Sequence, residues 1–358
     1  MSLITPDSFL RLPANTNGNK APITIFFITG NPGLIGYYHT FLSLLSDRLG
    51  LDGGTSFQVF GHSLAGFELS KHQGGREGKA EREGGRGHYY NLEDQISYVQ
   101  RKLDSFVTNH YEKNKQNHGE MPKVILIGHS VGTYIAMEVL RRHRERQRQH
   151  TTAPADGKGT EFDIIGGVML FPTVVDIAKS PAGQRLSKLL NLIPGLAIIA
   201  SLFARVLACL LPNGLLRLVV AAFMGLSSSL ESPDKVVVDT TCGFLGSRGV
   251  RQALYLGADE MQTITSDKWS DDIWGMSDVE EPLAKLFFYF GRNDHWVAER
   301  TRDEIIAVRG KDGNGKGNGP TMVVCEDGLP HAFCLRFNEV IARKTGDMIG
   351  AIVEGQVR

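Results

Sequence analysis

Over residues 123–144 the sequence passes from a strand into a helix with almost nothing between them. After Lys123, residues 124–127 are apolar and mostly β-branched, residues 131–144 carry helical spacing, and the joint is Gly128-His129-Ser130-Val131-Gly132. A strand that turns directly into a helix must bend within a few residues, and glycine tolerates that bend where a Cβ would clash. The central serine is thereby presented at the C-terminal edge of the strand. It lies beside a helix N-terminus, which favours negative charge. This joint belongs in a parallel sheet with helices packed on its faces.

The rest of the chain repeats the same alternation. Ile23–Ile28 is a continuous apolar run of the kind buried on both faces of a parallel sheet. It ends in Gly30-Asn31-Pro32-Gly33, a strong loop signal. A helix is predicted over 37–49, a strand over 57–60 and an amphipathic helix over 91–107. Further strands are predicted over 164–171, Lys285–Phe290 and 322–325, with helices over 298–308 and from 332 onward. Strands alternating with helices give an α/β fold with a mostly parallel central sheet covered on both faces. Two Gly-rich tracts, 71–88 and 309–319, and the polar stretch 145–161 are expected as loops.

Residues 172–282 break this rhythm. They read as an insertion between a first core segment, 1–171, and a second, 283–358. Within it, 189–226 is unusually apolar, but Pro194, Arg205, Pro212, Asn213, Gly214 and Arg217 interrupt it. No uninterrupted run reaches the roughly 20 residues of a spanning helix. Two or three short apolar helices are expected. They would form either a cap over a site or a hairpin that dips into a lipid surface.

A serine nucleophile needs a base, and the base needs an orienting acid. In α/β-hydrolases the chain order is serine, acid, histidine. Asp294 follows the buried run Phe287-Phe288-Tyr289-Phe290 in a turn, where the acid belongs. Asp176, after the preceding strand, is its rival; Asp278, Glu280 and Glu281 precede the strand and fall on the wrong edge. Of the 11 histidines, His331 follows the last strand in Gly328-Leu329-Pro330-His331, the expected position of the base. His129 is locked in the turn, and His295 is too close to Asp294 in sequence to be oriented by it. The tetrahedral intermediate needs two N–H donors. Val131 follows the nucleophile, and Asn31 lies in the loop after the first buried strand, where Pro32 has no N–H. A second serine, Ser63 in Gly61-His62-Ser63-Leu64-Ala65, lacks the following helix and is read as structural.

Composition closes off other classes. Net charge is zero over 358 residues, which gives no reason to expect a nucleic-acid partner. The four cysteines fit no zinc pattern and no disulfide framework, so reduced thiols in an intracellular protein are expected. No basic start followed by an apolar run marks a secretory signal. The expected chemistry uses no metal and no organic cofactor; the expected partner is a lipid or small ester.

These motifs, in this order, resemble the lipid droplet-associated hydrolase family. The resemblance runs through Thr29-Gly30-Asn31-Pro32-Gly33, Tyr37-Tyr38, Gly128-His129-Ser130-Val131-Gly132, Phe171-Pro172-Thr173, Gly291 with Asp294 and Trp296, and Leu329-Pro330-His331-Ala332-Phe333. It implies an α/β-hydrolase with Ser130, Asp294 and His331 on the triad positions. It implies action at lipid droplets and the endoplasmic reticulum, on neutral lipids such as sterol esters or acylglycerols. The chain departs from the family in its short N-terminus and its two Gly-rich inserts. Two other readings share these residues: a non-catalytic protein that keeps the fold to bind droplets, and an acyltransferase using the same serine.

Overall fold

The computed structural model of the chain describes residues 2–13, 21–51, 55–70, 88–114, 121–152, 162–227, 229, 232, 234–276, 283–311 and 319–355. The expected loop at 71–88 lies outside these residues except for His88. So do 312–318 of the second Gly-rich tract, 153–161 of the polar stretch, and Asp278, Glu280 and Glu281.

Eight strands form one sheet: β1 (Ser2–Thr5), β2 (Ser8–Arg11), β3 (Ile23–Ile28), β4 (Phe57–His62), β5 (Lys123–His129), β6 (Asp163–Leu170), β7 (Lys285–Phe290) and β8 (Thr321–Val324). Their order is β1-β2-β4-β3-β5-β6-β7-β8. β1 and β2 join antiparallel, and all pairings from β4 to β8 are parallel. Helices α1 (His39–Leu51) and α10 (Asn338–Glu354) cover one face, and α2 (Leu92–Asn114), α3 (Val131–Thr152) and α9 (Glu299–Arg309) the other. The two-residue period of a strand assigns the faces. Ile25, Phe27, Ile125 and Ile127 belong to the α1/α10 core, while Phe26, Ile28, Val124 and Leu126 belong to the α2/α3 core. Both faces are apolar, as the unbroken runs required.

Three local features differ from expectation. β1 and β2 precede the first predicted strand. They are four residues each, and of the eight only Phe9 is a buried hydrophobic, so they carry no strong periodic signal. α3 continues to Thr152, beyond the predicted end at 144. Its polar turns are satisfied by ion pairs: Arg141 with Glu138 and Glu145, Arg146 with Asp104, and Arg148 with Asp272. The closing helix begins at Asn338, not at 332. Residues Phe333–Leu335 form a tight 3-10 turn that buries Phe333 against Phe41 and Phe171.

Between β6 and β7 the chain forms α4 (Pro181–Leu192), α5 (Leu196–Leu210), α6 (Asn213–Met224), α7 (Lys235–Gly246) and α8 (Gly249–Thr263). Ser180 caps α4 by accepting from Gly183 N–H, and Pro181 opens it. Pro194-Gly195 then breaks the chain, and α5 leaves α4 at 95°. No single helix among the described residues is long and apolar enough to cross a membrane. α7 and α8 pack back on the core. Tyr37 Oη lies 3.1 Å from Thr241 Oγ1 of α7. Gln252 of α8 both accepts from Tyr90 N–H and donates to Tyr90 C=O, at 2.9 and 2.7 Å. Asp259 accepts from Leu92 N–H, at the N-terminus of α2. By contrast α4, α5 and α6 turn large apolar side chains outward. Leu192 is 77% exposed, Phe203 69%, Leu210 75% and Phe223 92%.

Candidate active site

The bend between β5 and α3 is as tight as its sequence demands. A Cβ on Gly128 would lie 2.5 Å from the Gly132 carbonyl oxygen, and one on Gly132 would lie 2.4 Å from that of Ile28. Both positions therefore require glycine. Ser130 adopts φ 54°, in the left-handed region that a serine rarely occupies. Its N–H is held by Leu170 C=O at 3.1 Å, and its C=O accepts from Thr133 N–H and Oγ1–H. These bonds fix the strained turn and leave the hydroxyl partly exposed.

The structure brings Ser130, His331 and Asp294 together. His331 Nδ1 lies 2.7 Å from Asp294 Oδ2, and His331 Nε2 lies 2.9 Å from Ser130 Oγ. A carboxylate only accepts, so the proton sits on Nδ1 and Nε2 is left to accept from the serine hydroxyl. Asp294 is buried, and its second oxygen accepts from Trp296 N–H at 2.9 Å. The three side chains come from the ends of β5 and β7 and from the loop after β8, all at the C-terminal edge of the sheet. The rival acid Asp176 pairs with Lys179 at 2.7 Å instead. Ser63 is fully buried and its hydroxyl accepts from Ile35 N–H, a structural bond.

The loop after β3 stands against the serine. A Cβ on Gly30 would lie 3.0 Å from Ser130 Cβ and 2.9 Å from His129 Nδ1. Asn31 follows Gly30 in this loop, and Val131 N–H belongs to the first turn of α3, where amides have no intrahelical acceptor. The Asn31 side chain is not free: its Nδ2 donates to Ala253 C=O at 3.0 Å and Glu260 Oε1 at 2.9 Å, both on α8. Among the described residues, no three His, Cys, Asp or Glu side chains converge so as to hold a metal ion.

One part of the site was not visible in the sequence. His129 lies beneath the serine with Nε2 2.9 Å from the His331 carbonyl oxygen and Nδ1 2.7 Å from Tyr38 Oη. The carbonyl can only accept, so Nε2 carries the proton and Nδ1 accepts from Tyr38, whose oxygen accepts from Gly30 N–H at 3.2 Å. One neutral imidazole thus links the loop after β3, the bend and the loop that carries His331. The Gly-His-Ser motif marked the residue, but not its partners more than 90 positions away on either side.

His129 must stay uncharged to do this. Burial, followed by the nearby His331, holds its pKa well below the ordinary value. Burial also lowers His39 and His143 to about 4. In the unfolded chain each titrates near ~6.5, so below that pH the unfolded state binds protons the fold excludes. The stability these histidines contribute is present above ~6.5 and is lost as pH falls towards 4. Burial acts in the opposite sense on Glu260, raising it to about 8, so that it weakens the fold as pH rises from about 4.5. Three histidines against one glutamate leave acid as the destabilising direction. The unfolding free energy is expected to drop between pH 7 and pH 5, by about 2 kcal/mol for each histidine before the glutamate's offset, and the urea midpoint to fall with it. A midpoint that is flat or rising over that interval would contradict the assigned neutral imidazoles.

Comparison with known proteins places the chain in a family and agrees with its fold. A family model described as lipid-droplet associated hydrolase matches residues 21–334. The lipid droplet-associated hydrolase of Gallus gallus is 27% identical over 345 residues, covering 94% of this chain and 88% of that protein. The Homo sapiens protein of the same name is 25% identical over 346 residues, with 92% and 85% covered. Among solved structures, haloalkane dehalogenase DbeA from Bradyrhizobium elkani superposes with a TM-score of 0.52 at 14% identity, covering 99% of this chain and 98% of that one. An epoxide hydrolase from Vigna radiata gives 0.51 at 14% identity, with 98% of each chain covered. At such identities these structures speak to the fold alone, which is that of the α/β-hydrolases.

Proposed function

The chain belongs to the lipid-droplet associated hydrolase family, and on that premise we propose that it is a serine esterase of lipase type, cleaving carboxylic esters at a lipid surface. The observation that carries the chemistry is the unbroken hydrogen-bonded chain from Ser130 through His331 to Asp294. His331 Nε2 takes the Ser130 proton as the oxygen attacks the ester carbonyl. The Val131 and Asn31 amides receive the developing oxyanion. His331 then returns the proton to the departing alkoxide, and the alcohol leaves. Water, deprotonated by the same nitrogen, attacks the acyl-serine, and the proton passes from His331 to Ser130 Oγ as the acyl–oxygen bond breaks and the acid leaves. Asp294 holds the tautomer throughout. No step calls for a metal or an organic cofactor.

The surface is the second half of the reading. Residues 181–224 contain no Asp or Glu, while Arg185, Lys188, Arg205 and Arg217 are basic. Arg217 is engaged by Asp239, but Arg185, Lys188 and Arg205 are exposed beside the outward apolar stripes of α4 and α5. Arg185 and Lys188 precede Leu189 and Leu192 by four residues, and Arg205 follows Leu202 by three, so each shares a helix face with an exposed leucine. Apolar side chains interspersed with cations and free of acids suit a phospholipid monolayer, where the cations reach phosphate while the apolar groups sink in. The proposed location is the lipid droplet and the endoplasmic reticulum, and the proposed substrates are sterol esters or acylglycerols.

A fluorophosphonate probe tests the chemistry directly. The expected result is one adduct, on the peptide that contains Ser130, together with turnover of p-nitrophenyl esters. A folded protein that acquires no adduct would point instead to a droplet-binding protein without catalysis. An alcohol acceptor that outcompetes water would point to acyl transfer.

A further inference from the structure

Glu260 is a carboxyl group with no place in the reaction above, yet it touches the reaction's machinery. It lies on α8, 6% exposed, and its Oε1 accepts from Asn31 Nδ2 at 2.9 Å. The same face of α8 offers Ala253 C=O to that nitrogen at 3.0 Å. Gly257 lies between them on that face. A Cβ there would stand in ordinary contact with Asn31 Nδ2, at 3.5 Å, and press more closely on Leu186 of α4, at 3.3 Å. The ledge itself is fixed to the core, because Gln252 and Asp259 bond the backbone leading into α2. Asn31 Oδ1 is buried and has no partner among the described residues. The side chain is therefore held through its nitrogen alone, and by α8 alone.

We propose that Glu260 is a positioning residue for the oxyanion donor: by anchoring the Asn31 side chain to α8 it sets where the Asn31 backbone N–H points. This rests on the assignment of Asn31 to the oxyanion site. The anchor also makes the insertion part of the active site, because any shift of α8 is transmitted to the donor. A donor must lie within a few tenths of an ångström of the developing charge, and misplacement by about 1 Å costs on the order of 100-fold in rate.

The charge state of Glu260 matters as well. Burial raises its carboxyl, the Asn31 bond opposes this, and Asp259 beside it on α8 adds a smaller push upward, which together bring it to about 8. Besides Asp259, the group that bonds it is Asn31 of the loop after β3, which does not ionise. At neutral pH the group beside the oxyanion loop is thus uncharged. Above about pH 8 it becomes an anion there, and the oxyanion is disfavoured.

Two substitutions separate these roles. Glu260→Gln keeps an acceptor for Asn31 and cannot ionise. It is expected to hold kcat within about threefold and to abolish the alkaline fall in kcat. Glu260→Ala removes the anchor. It is expected to lower kcat on a p-nitrophenyl ester by about 10- to 100-fold with little change in KM. It should also speed amide hydrogen exchange at Asn31 and Gly33. Folding of both variants is checked by thermal unfolding. A folded Glu260→Ala protein with unchanged exchange in this loop overturns the proposal, whether or not the protein hydrolyses esters. So does a Glu260→Gln protein as impaired as the alanine variant. If exchange rises in the alanine variant but even the wild type fails to react with a fluorophosphonate, the anchor stands and the catalytic reading fails.

Discussion

Replacing Ser130 with alanine is expected to lower ester hydrolysis by about 10⁴-fold or more, with the protein still folded. The hydroxyl is the only group of the set that can form the acyl bond. In the proposed mechanism His331 and Asp294 act through it, and what remains without it is the modest catalysis of the oxyanion donors and of binding. The substitution removes one oxygen from a partly exposed position, so it opens no cavity in the core. The backbone bonds that shape the turn, Ser130 N–H to Leu170 and Ser130 C=O from Thr133, do not use the side chain. Thermal unfolding should therefore stay close to wild type. Hydrolysis of p-nitrophenyl acetate reads the outcome. If the folded alanine variant retained a tenth of wild-type activity, the nucleophile would have to lie elsewhere.

The second large effect concerns the outward face of the insertion. Leu202, Phe203 and Phe223 are 61%, 69% and 92% exposed, so they add little to the folded core. On a lipid surface each would bury most of its side chain, worth about 1.5–3 kcal/mol apiece. Changing all three to serine should weaken partition onto phospholipid-coated oil droplets by at least ~100-fold, allowing for partial insertion. Turnover of a soluble short-chain ester should be unchanged, because the triad is carried by other elements. Flotation of the protein with droplets measures the first quantity and a spectrophotometric assay the second. A triple variant that floats like the wild type would assign attachment to another surface.

Much of the sheet could be read from the sequence because the physics that shapes it is local. Ile25–Ile28 and Leu286–Phe290 are apolar on both alternating faces, and that pattern has few outcomes other than a strand covered on both sides. The bend at Ser130 was legible for the same reason, since two glycines flank a serine where strand meets helix. Ser130, Asp294 and His331 could be ordered because each follows a strand. What escaped was decided by distant partners. The β1–β2 hairpin is short, with Phe9 the one hydrophobic it buries, and its order comes from pairing with β4. The run of α3 past residue 144 depends on ion pairs with Asp104 and Asp272, 42 and 124 residues away. The Asn31 loop was legible as a candidate donor, but its attachment to α8 spans 229 residues. The apolar insertion left two readings open, cap or surface, because composition fixes that helices form and not which face remains uncovered.

The left-handed backbone of Ser130 has a meaning for how such a chain drifts over generations. A serine at φ 54° costs on the order of 1–2 kcal/mol that a glycine would not. Mutation towards glycine at this one position would be rewarded by stability alone. A lineage that used the fold only as a coat for droplets would gain by yielding to that pull. A serine held there against the chain's own thermodynamic interest is what the proposed use of its hydroxyl requires.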